Sequence, residues 1–326
     1  FVPREGDPTF LVPDLYAEQV RAASWVDDVR TWADDDDPRE ALAAVVADLA
    51  LGDRLLVDDT MHARFTQDLR AVHDADHGLA SEALAPLRVR KDEAELEALT
   101  RAGAAADRAM DEIRALGADA VGTTEAELAE RVERELAAAG GTGVSFEVIA
   151  GSGPNGAMPH HTHGDRRIEA GDPVVLDFGT RVGGPAGAAG PGYPSDQTRT
   201  VVFDGEPPEG FPAVHDVVRE AQAAAVDAID PGVTCGAVDA AAREVVAAAG
   251  YGERFVHRTG HGVGLDVHEE PYVVAGSDRE LEPGMVFSVE PGVYLPGEFG
   301  VRIEDLVVVT EDGCERLNHT DRGWRC

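Results

Sequence analysis

Carboxylates set in or at the ends of apolar, β-branched runs are the feature that most restricts how this chain can fold. Asp177 stands in VVLDFGT, Glu290 in FSVEPGVY and Glu304 in VRIEDLVVV. A carboxylate in the middle of an apolar strand is costly to bury unless a cation or hydrogen bonds compensate it. Asp196 in PSDQTRT and His261 in HRTGHGVGLDVHEE complete the set. Together these four carboxylates and one imidazole match the ligands of a pair of hard-to-borderline divalent ions. No thiol takes part, so a zinc-finger reading is poor. Mn²⁺ or Co²⁺ suits the set, and Fe²⁺ and Zn²⁺ also accept such ligands. Two dipositive ions would cancel the carboxylate charge and leave room for a bound hydroxide, the equipment of metal-assisted hydrolysis.

Local pattern makes the geometry feasible. VVLDFG and QTRTVVF are strand-like runs separated by a Gly/Pro-rich turn, which predicts a hairpin. Alternation puts Val175, Asp177 and Gly179 on one face, with Leu176 and Phe178 on the other. In the partner strand Asp196, Thr198 and Thr200 share a face, so both aspartates can project into one site. Glu304 is expected inside a further strand, GVRIEDLVVV, with Arg302 on its own face. Glu290 ends the short run MVFSVE, just before Pro291-Gly292.

Taken in order, these segments resemble the pita-bread metallopeptidases (creatinase/aminopeptidase-like), in particular the proline-directed branch of Xaa-Pro dipeptidases (prolidases) and Xaa-Pro aminopeptidases. The match runs from about Leu87 to the C-terminus. It implies an α+β fold: a catalytic domain over 87–326 with two pseudo-symmetric halves, preceded over 1–86 by an incomplete, smaller α/β creatinase-like domain. The resemblance further implies that Asp177 binds one ion, that Asp196 and Glu304 bridge both, and that His261 and Glu290 hold the second. His160 in AMPHHTHGD, His257 in FVHRTGHG and His268 in LDVHEE fall where the family places catalytic histidines that steady the scissile group or shuttle protons. Glu290 would double as the proton carrier beside a metal-bridging hydroxide. The implied substrates are dipeptides or short peptides with an Xaa-Pro bond, and the implied assembly is a homodimer.

One departure from the family lies between the two aspartates, where a Gly-, Ala- and Pro-rich segment is about eight residues longer than usual; loop closure tolerates this, and a flexible hairpin tip is expected. Two alternatives stand beside the main reading. A methionine aminopeptidase-like enzyme would carry its last glutamate in a context other than VRIED. A non-catalytic peptide-binding member would have lost ligands, and none is missing. Dipeptidases need a cation for the substrate's free carboxylate. After His268 the chain reads Glu269-Glu270-Pro271-Tyr272, where some archaeal-type prolidases place an arginine. Arg302 remains available for that task, yet could equally partner Glu304 or Asp305, so the choice between dipeptidase and aminopeptidase stays open.

Weaker motifs carry less. Taken alone, His160, His161 and His163 read as a solvated His-rich loop. Gly151-Ser-Gly-Pro-Asn-Gly156 matches the dinucleotide fingerprint and follows a strand-like stretch, but the residues after it open no helix whose N-terminus could take a phosphate.

Charge gives an independent message. Acidic residues number 62 against 28 basic ones, a formal charge of −34, and Lys91 is the only lysine. Self-repulsion on that scale strains a compact state at ordinary ionic strength, whereas molar salt shrinks the Debye length to about 3 Å. The pattern is that of a high-salt cytoplasm, and it argues against nucleic acid or anionic membrane as partners. Three scattered cysteines, Cys235, Cys314 and Cys326, suit a reducing compartment. No apolar run reaches the length of a membrane span, and no signal-peptide pattern occurs.

With 43% hydrophobic residues the chain can bury a full core across two domains. Residues 1 to about 86 alternate strand-like pieces (TFLVP, RLLVDD) with helical ones, including Pro38 to Leu51. The opening FVPREGDPTFLVPDLYAEQV reads as two strands already inside a domain, which suggests a truncated or processed N-terminus. A helix is expected from about Asp92 to Leu116, with Leu96, Leu99, Gly103, Ala106, Met110 and Ile113 as its apolar stripe. Thr124 and Glu127 signal a capping box for a helix to about Ala139. Two Ala-rich helices, near Pro212 to Ala228 and Cys235 to Ala249, precede the later ligand strands. A helix pair followed by strands thus occurs twice.

Overall fold

The computed structural model describes residues 1–184, 190 and 192–326. The flexible tip expected between the aspartates falls largely on 185–189 and 191, outside the described residues. The chain forms two compact units, Phe1–Leu87 and Arg88–Cys326.

The first unit contains two parallel strand pairs, Thr9–Pro13 with Asp28–Trp32 and Arg54–Val57 with Asp76–Leu79. Helices Ala17–Ala23, Pro38–Asp48 and Ala63–Val72 accompany them, and Val46, Val57 and Leu69 form a small core. The opening segment holds one strand, not the two its pattern suggested. Phe1 meets Thr9 only through reciprocal backbone bonds of 2.8 and 2.9 Å. The second stretch, AEQVRAA, is a helix, because Ala, Glu, Gln and Arg favour one once Pro13 has ended the strand.

The second unit repeats a helix pair and a sheet. Helix Glu93–Arg114 starts in a reciprocal cap: Glu95 N–H donates to the Asp92 side chain, and Asp92 N–H to the Glu95 carboxylate, each at 2.9 Å. Its stripe is buried from Leu99 to Ile113. Gly103 is required there, since a Cβ would stand 2.3 Å from the Leu317 carbonyl oxygen. Helix Glu125–Ala138 begins in the Thr124/Glu127 capping box. In the other half, helices Phe211–Asp227 and Cys235–Ala248 occupy the same places in the order. The second helix of each half is entered through a left-handed glycine (Gly122, φ 88°; Gly232, φ 85°) and a threonine N-cap (Thr124; Thr234). Each is left through another such glycine, Gly140 and Gly250. The halves are therefore related in local detail as well as in element order.

Each half brings its own sheet. The first sheet is antiparallel, in the order Gln197–Val201, Val174–Phe178, Ile149–Ser152. The second runs Glu269–Val273, Gly260–Gly262, Val286–Val289, Asp305–Thr310, Gly313–Arg316. Leu176 and Phe178 turn into a core with Met110, Ile113, Leu128 and Val132, which leaves Asp177 on the opposite face. Phe211, Val218, Val246, Phe287 and Val307 belong to the core of the second half.

The expected aspartate hairpin is present but bent. Thr198 lies opposite Asp177, so Asp196, two residues earlier, shares that face just outside the paired strand. At the bend the chains come too close for a side chain: a Cβ on Gly179 would stand 1.9 Å from the Ser195 carbonyl oxygen.

Glu304 departs from expectation. GVRIEDLVVV is two strands, with Phe299–Arg302 pairing with Gly292–Leu295 and Asp305–Thr310 pairing with Val286–Val289. Ile303 and Glu304 cross between the sheets. Glu304 N–H donates to the Thr198 carbonyl at 3.0 Å, and Arg199 donates to the Glu304 carbonyl. The backbone groups of Glu304 are satisfied by the first half of the fold, and its carboxylate is brought to the aspartates.

Candidate metal centre

The aspartate hairpin, the sheet crossing and the HG strand converge on a cleft of about 410 Å³. All the positions singled out by sequence line it: Asp177, Asp196, His261, Glu290 and Glu304, together with His160, His257 and His268. Within it Asp196, His261 and Glu304 are buried, and each offers a ligand atom within 4.8 Å of the others, a trio that could hold a metal ion. Glu290 flanks them, with Oε1 3.4 Å from His261 Nε2, and Asp196 Oδ2 is 3.7 Å from the same nitrogen. Asp177 stands outside the tight trio, its Oδ2 held at 2.7 Å by Arg302.

The electrostatics of this cluster call for a cation. Burial, reinforced by the neighbouring carboxylates, pushes Asp196 and Glu304 well above the usual carboxylate range. Burial also pushes Glu290 up to about 7, against the opposing charge of Arg302. Burial, with His268 beside it, brings His261 down to about 3. Two buried oxygens, Asp177 Oδ1 and Glu304 Oε1, have no hydrogen-bond partner. Unpaired buried carboxylate oxygens are costly, and a bound cation removes the cost. The donors are oxygen and imidazole nitrogen, which fits a hard or borderline divalent ion.

Neighbouring side chains fix these groups. Thr198 Oγ1 donates to Glu304 Oε2 at 2.6 Å, and Ser288 Oγ to Glu290 Oε1 at 3.2 Å. His257 Nδ1–H donates to the Arg258 carbonyl at 2.7 Å, so Nε2 accepts from Tyr294 O–H at 2.9 Å. Tyr294 in turn accepts from Arg302 at 2.7 Å. Burial and then the Arg302 charge bring His257 down to about 4, consistent with that neutral tautomer. His268 lies against His261, with ring centres 4.1 Å apart.

Arg302 is fully engaged. It donates to Asp177, Thr198 and Tyr294 rather than to Glu304 or Asp305, the partners considered from sequence. The histidine loop is not simply solvated either. Buried Glu125 accepts from His161 at 2.8 Å, from Ser152 N–H and Oγ–H at 2.8 and 2.7 Å, and from Asn155. His163 Nδ1–H donates to the Val148 carbonyl at 2.8 Å. The glycine-rich string therefore supplies Ser152 and Asn155 to Glu125, and its residues Gly153–Ala157 form a 3₁₀ turn.

Sequence reasoning missed Tyr294, Ser288 and Glu125, and it put Thr198 on the aspartate face without giving it a role. A tyrosine inside the short strand Gly292–Leu295 was a usable signal, because a buried phenol needs a partner for its hydroxyl. Glu125 gave none, sitting beside a capping box that already explained the local acidity.

Comparison with known proteins points the same way. The model of metallopeptidase family M24 matches residues 97–311. A probable dipeptidase PepE from Mycobacterium tuberculosis is 44% identical over 321 residues, covering 98% of this chain and 82% of the relative. Among solved structures, a prolidase from Thermococcus sibiricus superposes with a TM-score of 0.92 at 38% identity, covering 99% of this chain and 85% of its own. An X-Pro aminopeptidase from Thermotoga maritima gives a TM-score of 0.78 at 34% identity, covering 97% and 86%.

Proposed function

The chain belongs to metallopeptidase family M24 and is a metal-dependent peptidase of pita-bread fold, and on that premise we propose that it hydrolyses the Xaa-Pro bond of dipeptides or short peptides with two divalent ions, Mn²⁺ foremost. In this reading Asp177 serves one ion, Asp196 and Glu304 both, and His261 and Glu290 the other. Such ions, when bound, polarise the scissile carbonyl and lower the pKa of water toward 7. The observation that carries the reading is the Asp196–His261–Glu304 trio, set beside buried carboxylate oxygens that lack partners.

The chain's own groups supply the remaining chemistry. A prolyl nitrogen in an Xaa-Pro bond has no hydrogen and must gain a proton as the C–N bond breaks. Glu290 takes the attacking water's proton and returns it to that nitrogen. His268 donates to the developing oxyanion, and His257, fixed by Tyr294 and the Arg258 carbonyl, orients the substrate with His160. The unit Phe1–Leu87 is read as the creatinase-like N-terminal domain and the assembly as a homodimer. Elemental analysis and an Ala-Pro assay with Mn²⁺, Co²⁺, Fe²⁺ and Zn²⁺ test the proposal. A protein that binds none of these ions and leaves Ala-Pro intact would refute it.

A pH signature follows from the raised carboxyls. With folded pKa values above their unfolded values, Asp196, Glu290 and Glu304 hold more protons in the native state. Their contribution is fully present below the ordinary carboxylate range and is lost as pH rises through the folded values, near 7 for Glu290. A metal needs them ionised, so the gain in melting temperature on adding Mn²⁺ should be larger at pH 8 than at pH 5. Saturation at about 100 times Kd corresponds to about 2.7 kcal/mol. Equal gains at both pH values would contradict the assignment.

The charge of −34 supports a high-salt cytoplasm as the working environment. Among the described residues no helix is long and apolar enough to cross a membrane. Below roughly 0.5 M salt the fold should loosen as screening weakens. Circular dichroism melts across a salt series test this, and an unchanged cooperative melt in dilute buffer would remove the halophilic reading.

A further inference from the structure

We propose that the buried ion pair of Lys91 with Glu269 positions His268 in the cleft by fixing the loop that carries it. The proposal rests on the Xaa-Pro peptidase reading above, in which His268 donates to the developing oxyanion, and adds the groups that hold it there.

His268 needs such support. It lines the cleft but is exposed, and among the described residues its ring makes no hydrogen bond. Its ring leans on His261, with centres 4.1 Å apart. A side chain without a bond of its own takes its place from its backbone. That backbone ends the loop joining strand Gly260–Gly262 to strand Glu269–Val273. The ladder between these strands is irregular there: Tyr272 lies opposite His261, but Glu269 lies opposite Gly262, which leaves Glu270 and Pro271 bulged between them. Regular pairing therefore does not fix the residues next to His268.

The Glu269 side chain does. Lys91 Nζ donates to its Oε1 at 2.8 Å. Its Oε2 accepts from Arg88 and, at 3.3 Å, from the Asp266 N–H within the loop. Arg88 also donates to Asp266 Oδ2 at 2.7 Å. One carboxylate thus ties the loop to itself and to the segment that precedes helix Glu93–Arg114. That segment is anchored in turn, because the Lys91 N–H donates to the Gly284 carbonyl at 2.7 Å. Gly264 makes room for the carboxylate: a Cβ there would stand 2.3 Å from Glu269 Oε1. The cation is the only lysine of the chain, its side chain 1% exposed, whereas every other basic residue is an arginine. A compact ammonium suits a single carboxylate oxygen in a closed site, where a guanidinium fork would bring more donors to satisfy. Buried pairs are screened by salt far less than surface ones, so this contact persists in the high-salt setting proposed above.

The test is a double-mutant cycle on Ala-Pro in the Mn²⁺-loaded enzyme at fixed molar salt, with metal content and melting temperature measured for each variant. His268→Ala should lower kcat by about 10²- to 10³-fold, the usual loss for one oxyanion donor. Lys91→Met, similar in length but uncharged, should lower kcat by about 10-fold with KM little changed, a partial loss of the same donor. In His268→Ala/Lys91→Met the lysine change should lower kcat no further, because the group it positions is gone. A pair that serves the fold alone predicts losses that multiply, and that result would overturn the proposal. Glu269→Gln keeps an acceptor for Lys91, so it should retain more activity than Glu269→Ala, and it replaces Lys91→Met in the cycle if that variant does not fold. Hydrogen exchange gives a readout without turnover: the Asp266 amide should exchange faster in Lys91→Met, and unchanged protection would count equally against the proposal. A wild-type enzyme that leaves Ala-Pro intact would refute the Xaa-Pro reading and this proposal with it, whereas an active wild type with multiplying losses refutes the proposal alone.

Discussion

Asp196→Asn is expected to lose at least one bound metal ion and nearly all peptidase activity, while keeping the fold. Asp196 is 4% exposed and belongs to the trio with His261 and Glu304. An amide is close to the carboxylate in size but carries no charge, so it cannot balance a dipositive ion shared with Glu304. Loss of a group that merely supports a metal ligand costs about 10- to 100-fold in affinity or activity, so loss of a ligand should cost more than about 100-fold. The metal-free fold should tolerate the change, because burial already drives the Asp196 carboxyl toward its protonated, neutral form. Elemental analysis with a parallel Ala-Pro assay checks the result. Unchanged metal content with normal turnover would remove Asp196 from the site.

The largest stability effect is expected one residue beyond Glu304. Asp305 is 0% exposed and accepts from Arg199, Arg316 and Arg322, each at 2.7 Å, and from Gln222 at 2.9 Å. Its carboxyl stays below the usual range because the charges of those arginines outweigh burial. Arg199, itself 1% exposed, comes from the strand that carries Thr198, whereas Asp305 begins a strand of the other sheet. Asp305→Ala would leave the Arg199 guanidinium buried without its counter-charge. Breaking a buried pair in this way costs about 3–5 kcal/mol, a large share of the 5–15 kcal/mol typical of folded domains. For a unit of this size that is a fall in melting temperature of roughly 10 °C. Thermal melts at fixed molar salt measure it, and a change below about 1 kcal/mol would mean that water or backbone carbonyls stabilise Arg199 unaided.

Asp305 follows the crossing at Ile303 and Glu304, and Asp196 meets Glu304 in the ligand trio; that crossing separates what sequence could determine from what it could not. The helices were legible because their signals are local: the Thr124 cap and the stripe from Leu99 to Ile113. The aspartate hairpin was legible for the same reason, since a period of two puts Asp177 and Thr198 on one face whatever surrounds them. Residue type and order sufficed to nominate the acids and histidines that line the cleft. Three things lay beyond sequence. GVRIEDLVVV looks like one strand, because its apolar pattern is continuous. Only the Thr198 and Arg199 contacts, more than a hundred residues away in sequence, divide it at Ile303 and Glu304. The partners of Arg302 depended on where Tyr294 and Asp177 came to rest, so its use could not be decided from its neighbours Glu304 and Asp305. Glu125 became the anchor of the histidine loop only when Ser152, Asn155 and His161 folded over it. By itself the sequence determined the elements and the chemical character of the site, because caps, alternation and side-chain type act over a few residues. Which carboxylate meets which cation was decided by tertiary structure alone, because burial and charge pairing depend on distances that no local pattern encodes.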